Sequence, residues 1–121
     1  MKLPYESQLI RVFVDESDRY HGKPLYQAIV EAAREMGMAG ATVLHGVMGF
    51  GAHSRVHTAK VLRLSEGLPV LIEIVDKPER IESFLPILDA MVDEGLVTLE
   101  NVKVIAYRHG QSDTPAEQTG A

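Results

Sequence analysis

Residues 69–92 read Pro69-Val70-Leu71-Ile72-Glu73-Ile74-Val75-Asp76, then Lys77-Pro78-Glu79-Arg80-Ile81-Glu82-Ser83-Phe84-Leu85-Pro86-Ile87-Leu88-Asp89-Ala90-Met91-Val92. The first part has a period of two. Val70, Ile72 and Ile74 alternate with Leu71, Glu73 and Val75, the pattern of a β-strand. The second part changes to the helical period, with Ile81, Phe84, Leu85, Leu88, Met91 and Val92 forming one apolar stripe. Asp76 and Glu79 have the spacing of a capping box, with Asp76 as the cap. Pro78 suits the first turn, where its missing N–H is no loss. Pro86 predicts a kink, because an interior proline removes a hydrogen bond at ~3 kcal/mol. Gly95 is placed to end the helix.

The same alternation of periods extends outward. Gln8 to Val14 reads as a strand, with Ile10, Val12 and Val14 on one face and Leu9, Arg11 and Phe13 on the other. Asp15-Glu16-Ser17-Asp18 is a polar connection. A helix is expected from about Lys23, with Pro24 in its first turn, the stripe Leu25, Ile29, Ala32, Ala33 and Met36, and Gly37 as a left-handed cap. Ala41 to Met48 reads as a second strand. Val61 to Leu64 is a candidate strand extension. Val97 to Leu99 begins an extended segment, and Val102 to Tyr107 reads as the last strand. One domain over residues 1–109 is expected, followed by an aperiodic Gly/Ser/Thr/Gln tail over 110–121 that reads as disordered.

Strand, helix, strand, strand, helix, strand is the ferredoxin-like order. It predicts an α+β sandwich, a four-stranded antiparallel sheet with two helices on one face. Two helices cover one face only, yet both faces read as apolar. Leu9, Phe13, Leu71, Val75, Ile105 and Tyr107 would lie opposite Ile10, Val12, Val70, Ile72, Val102 and Val104. A second apolar face needs a cover, and another copy of the chain is the simplest one, giving a cyclic oligomer.

Composition narrows the function classes. The 121 residues contain no cysteine, which excludes disulfides, zinc–thiolate sites, iron–sulfur clusters and thiol catalysis. Met1-Lys2-Leu3-Pro4-Tyr5-Glu6 has no apolar signal region, and no apolar run reaches the ~20 residues of a membrane span, so a cytoplasmic location is expected. The net charge of −5 argues against general nucleic-acid binding. The charge is unevenly spread. Met36 to Ser65 holds no Asp or Glu but carries Arg55, Lys60 and Arg63, with His45, His53 and His57. The other nine of the 12 Lys/Arg stand against all 17 acids. A positive segment in an acidic chain concentrates anions locally.

That segment contains the long connection between the second and third strands, where a hairpin normally takes about 2–5 residues. Gly46, Gly49 and Gly51 allow close backbone approach to a ligand, and Arg55, Lys60 and Arg63 offer cations. A small anion is the expected ligand class. GxxxxGK[ST] and GxGxxG are both absent. His53 and His57 would share a helical face and, with His45, make the alternative reading a divalent-metal or metal-tolerance trimer. An acylphosphatase-like enzyme is disfavoured, because the place after the first strand reads Asp15-Glu16-Ser17-Asp18 and repels phosphate. Catalysis is not expected.

Gly46-Val47-Met48-Gly49-Phe50-Gly51, His53-Ser54-Arg55-Val56-His57, Leu62-Arg63-Leu64-Ser65 and Leu68-Pro69-Val70, with Ile72-Glu73-Ile74-Val75-Asp76, resemble the PII-like family catalogued as domain of unknown function 190. The likeness runs from about Gln8 to Tyr107. It implies a ferredoxin-like homotrimer with a small ligand, often an adenine nucleotide, in the clefts between subunits. It also implies a T-loop, here 49–60, that reports ligand state to a partner such as a membrane transporter or enzyme. Gly46, Gly49, Gly51, His53, Arg55, His57, Lys60 and Arg63 are the ligand-binding candidates. PII proteins carry a TGRxGDGK-type phosphate loop before the last strand. Here that place reads Asp93-Glu94-Gly95-Leu96-Val97-Thr98-Leu99-Glu100, so the load on an anion shifts to residues 46–63, with Lys103 or Arg108 as auxiliaries.

Overall fold

A computed structural model describes residues 2–51, 57–58 and 67–110. The main elements are β1 (Glu6–Asp15), α1 (Leu25–Glu35), β4 (Ala41–His45), β7 (Pro69–Asp76), α2 (Pro78–Met91) and β8 (Leu96–Lys103). Two short ladders stand between them: β2 (Arg19–Tyr20) with β3 (Lys23–Pro24), and β5 (Met48–Gly49) with β6 (His57–Thr58). The four long strands form one antiparallel sheet in the order β4-β7-β1-β8. By chain order this is second, third, first, fourth, the ferredoxin-like arrangement.

The core lies between the sheet and the two helices. Ile10, Val12, Val70, Ile72 and Ile74 are buried from the strands, with Leu25, Ile29 and Ala33 from α1 and Ile81, Phe84 and Leu88 from α2. The helix reading of α1 holds in its stripe and its end. Gly37 takes φ +71°, its N–H bonds to the Arg34 carbonyl, and the Met38 N–H bonds to the Ala33 carbonyl. This is a Schellman cap, which needs a left-handed residue at that position.

Four expectations are corrected. Lys23 and Pro24 belong to a hairpin rather than to the helix; His21 (φ +50°) and Gly22 (φ +85°) make its two-residue turn, and Pro24 precedes the first helical residue. The second strand ends at His45, not Met48, and the chain turns before Met48 pairs with Thr58. Asp76 is no helix cap: Lys77 holds that position without a side-chain cap bond. Asp76 is instead fully buried, accepting the Lys77 N–H (2.7 Å) and the Ala39 N–H (2.8 Å). It thereby ties the end of β7 to the turn after α1. The last strand lies at Leu96–Lys103, earlier than Val102–Tyr107.

That shift changes the composition of the uncovered sheet face. The register places Leu9 opposite Glu100, Arg11 opposite Thr98 and Phe13 opposite Leu96. Val102 consequently stands beside Ser7 on the open face, not on the helix-covered one, and Ile105 and Tyr107 lie beyond the strand. α2 runs through Pro86 without interruption.

Candidate functional site

The chain leaves the sheet at His45 and returns at Pro69, and both stems of this excursion are anchored. The Gly46 N–H donates to the Pro69 carbonyl (2.7 Å), one step beyond the His45–Val70 pair. A side chain at position 46 would place its Cβ 2.9 Å from Pro69 Cγ, and one at position 49 would place it 3.0 Å away. Gly46 and Gly49 therefore let the outgoing stem press against Pro69: a Cβ at position 46 would be closer than real Cβ atoms come, and one at position 49 would require Pro69 to give. Gly51 has open space instead. The β5–β6 ladder pairs Gly49 with His57, forming a neck above the stems.

Glu16 holds the two stems together. Its N–H donates to the Leu68 carbonyl on the incoming stem (2.9 Å), and its carboxylate lies 3.2 Å from His45 Nδ1 on the outgoing strand. The Tyr26 ring meets the His45 ring edge-on with centroids 5.4 Å apart. His45 is thus a half-exposed partner of Glu16. The neighbouring acids are occupied locally. Asp15 accepts the Ser17 N–H (2.9 Å) and hydroxyl (2.7 Å), and Asp18 accepts the Asp15 N–H (2.9 Å). Gly67 is buried against this turn, where a Cβ would fall 2.7 Å from the Ser17 nitrogen.

Of the sequence-derived candidates, Gly46 and Gly49 lie against Pro69 at the root of the excursion, the His57 backbone joins them through the neck, and Gly51 follows the neck with open space around it. His53, Arg55, Lys60 and Arg63 lie outside the described residues. No group of three metal-ligating side chains occurs among the described residues. Glu16, Tyr26, Gly67 and Pro69 belong to the site although sequence reasoning did not select them. Their role depends on strand register, which local residue types do not reveal.

The uncovered sheet face begins at the same end. At its centre Arg11 donates through Nε to Glu73 (2.9 Å) and through a second nitrogen to Glu100, bridging three strands. These bonds raise the Arg11 pKa above its ordinary value, the Glu73 hydrogen bond most of all. At the end nearest the excursion, Phe13, Leu44 and Leu96 are exposed around half-buried Leu71. At the far end, Leu3, Ser7 and Leu9 are already buried within the chain. No helix among the described residues is long and apolar enough to cross a membrane.

This fold is that of PII-like proteins. A solved structure of CPII, a nitrogen regulatory PII-like protein from Thiomonas intermedia K12 bound to ADP, AMP and bicarbonate, is similar with TM-score 0.57. It shares 15% sequence identity, over 83% of this chain and 89% of that one. A second CPII structure, bound to ADP and bicarbonate, gives TM-score 0.55 and 16% identity over the same shares. The family model DUF190, described as "Uncharacterized ACR", matches residues 7–104. A UPF0166 protein of Aquifex aeolicus is 38% identical over 100 residues, 83% of this chain and 94% of that protein. Another from Methanocaldococcus jannaschii is 32% identical over 82% of this chain and 92% of its own length. The chain belongs to the DUF190 family.

Proposed function

We propose that this chain is a PII-like regulatory protein and not an enzyme. It assembles as a homotrimer through the open sheet face and binds a small anionic ligand, an adenine nucleotide foremost, in the clefts between subunits. The residues assigned to the ligand are Gly46, Gly49, Gly51, His53, Arg55, His57, Lys60 and Arg63. The 49–60 loop reports occupancy to a partner protein, such as a membrane transporter or an enzyme.

One observation carries this reading. The long excursion is rooted beside the exposed apolar end of the open face, where Leu44 directly precedes His45 and Gly46. A second copy seated on Phe13, Leu44, Leu71 and Leu96 would border the root of the loop, so covering the face also makes a cleft there. That CPII binds ADP, AMP and bicarbonate on a similar scaffold supports the choice of ligand to try first. Ligand shifts the loop only by its differential affinity for the ordered state.

Calorimetric titration of the full chain with AMP, ADP, ATP, cyclic AMP, cyclic di-AMP and bicarbonate tests the reading. Saturable binding near one ligand per chain is expected, weakened about tenfold or more when Arg55→Ala and Lys60→Ala are combined. Absence of binding by all six, or full affinity in the double variant, contradicts it.

A further inference from the structure

The turn after β1 is held in place by its own bonds and by α1. Asp18 donates its N–H to the Asp15 carbonyl (3.0 Å), and the Asp18 carbonyl accepts the Leu25 N–H (2.8 Å) at the start of the helix. Together with the side-chain bonds of Asp15, Ser17 and Asp18, these give Glu16 a fixed frame from which to face the loop stems. The Glu16 backbone holds the incoming stem at Leu68, and the Glu16 carboxylate reaches the outgoing stem at His45. The first contact is a backbone hydrogen bond, which keeps its strength across the neutral pH range. The second depends on a proton, because a carboxylate and an imidazole form an ion pair only while the imidazole is charged.

The surroundings of His45 single out this one pair. His45 lies on the helix side of β4, two residues from Val43 on the same face, and its register partner in β7 is the uncharged Val70. From α1 it meets the Tyr26 ring, whose phenol is neutral throughout this range. From the turn it meets Glu16. Asp15 and Asp18 in the same turn are engaged by the Ser17 and Asp15 donors. The rest of β4, Ala41 to Leu44, carries no ionisable side chain. Among the described residues, Glu16 is therefore the charge that responds to a proton on His45.

We propose that Glu16 and His45 form a proton-dependent tie between the two stems, so that pH sets how firmly the root of the loop is held. This deepens the reading of residues 49–60 as a reporting loop and rests on it. An imidazole loses its charge as pH rises through about 5 to 8, whereas a carboxylate stays ionised above about pH 5. The tie is therefore strongest near about pH 5.5 and has lost its ionic part by about pH 8. Both side chains are half-exposed, so the gain is that of a surface ion pair, about two- to fivefold in the equilibrium for parting the stems. A ligand that prefers the tied root is favoured on the acidic side by the same factor at most.

The test is amide hydrogen exchange of the full chain without ligand, followed by NMR at about pH 5.5 and about pH 8 and corrected for the intrinsic exchange rate at each pH. The reporting amides are Glu16 and Gly46, which donate to the Leu68 and Pro69 carbonyls across the stems. Their protection should be about two- to fivefold higher at the lower pH, relative to the Val12 and Ile72 amides at the centre of the sheet. Glu16→Gln keeps the backbone bond and removes the charge, so the pH dependence should vanish; His45→Gln should remove it equally. A role that is merely structural would change protection alike at both pH values. Equal protection of the wild type at both pH values overturns the proposal, as does the same pH ratio in Glu16→Gln. Exchange is read without ligand, so its failure leaves the nucleotide titration standing, and a failed titration leaves the exchange ratio standing.

Discussion

One sheet presents two unlike faces. On the helix side Ile10, Val12, Ile72 and Ile74 are wholly buried by α1 and α2 within a single chain. On the other side Phe13, Leu44 and Leu96 are 39%, 48% and 57% exposed, and an Arg11–Glu73–Glu100 ion network spans the middle. Both faces come from the same alternating strands. The first is a finished core and the second is an apolar rim around a charged centre, lying next to the root of the long loop. The first should therefore govern whether the chain folds, and the second what the folded chain assembles with.

Substitutions can break that division. Phe84→Ala, on the finished side, should cost about 3–5 kcal/mol in urea unfolding, the range for a large aromatic removed from a filled core. A loss below about 1 kcal/mol would mean that the helix layer is not the main source of stability. Asp76→Ala should come next, at about 1–3 kcal/mol, because the Ala39 and Lys77 N–H groups lose a buried acceptor. Asp76→Asn should recover part of this, since its side-chain carbonyl still accepts one of the two bonds. Leu44→Lys on the open face should alter chain stability by no more than about 0.5 kcal/mol when measured on the monomer. It should nevertheless reduce the oligomer mass seen by light scattering. An unchanged mass would separate this face from assembly.

The smallest effect belongs to the outer surface of α1. Lys23 donates to Glu31 at 2.7 Å, and this bond, aided by Gln27, holds the Glu31 carboxyl below its ordinary range. A depressed carboxylate contributes stability above its unfolded pKa and loses it as pH falls through the lower folded value. Glu31→Gln should therefore flatten the acid limb of a urea-midpoint profile slightly, with high salt erasing the difference. A steeper acid limb in the variant would reverse the sign assigned to this pair.

The covered face was legible in the sequence because periodicity reports burial directly. Val70, Ile72, Ile74 and the Ile81–Phe84–Leu88 stripe needed no knowledge of partners. Gly37 was legible for a similar reason, a glycine standing where the helical period stops. The last strand was misread because Leu96 to Lys103 contains Thr98, Glu100 and Asn101 and is exposed over most of its length, whereas Val102 to Tyr107 is richer in β-formers. At an edge strand, pairing to β1 outweighs propensity. Asp76 was misread because its spacing to Glu79 imitates a cap; its actual partner, Ala39, is 37 residues away. Glu16 joined the site for the same non-local reason. The glycines at 46 and 49 read from sequence as ligand contacts, and their close approach to Pro69 gives them a structural duty as well.

The most direct test of this account is the solution mass of the untagged chain at micromolar concentration by multi-angle light scattering. The account predicts three chains of 13.3 kDa in one particle, with Leu44→Lys falling toward a single chain. A wild-type mass of one chain would contradict it, since no second subunit would then cover Phe13, Leu44 and Leu96 or complete a cleft at the root of the loop.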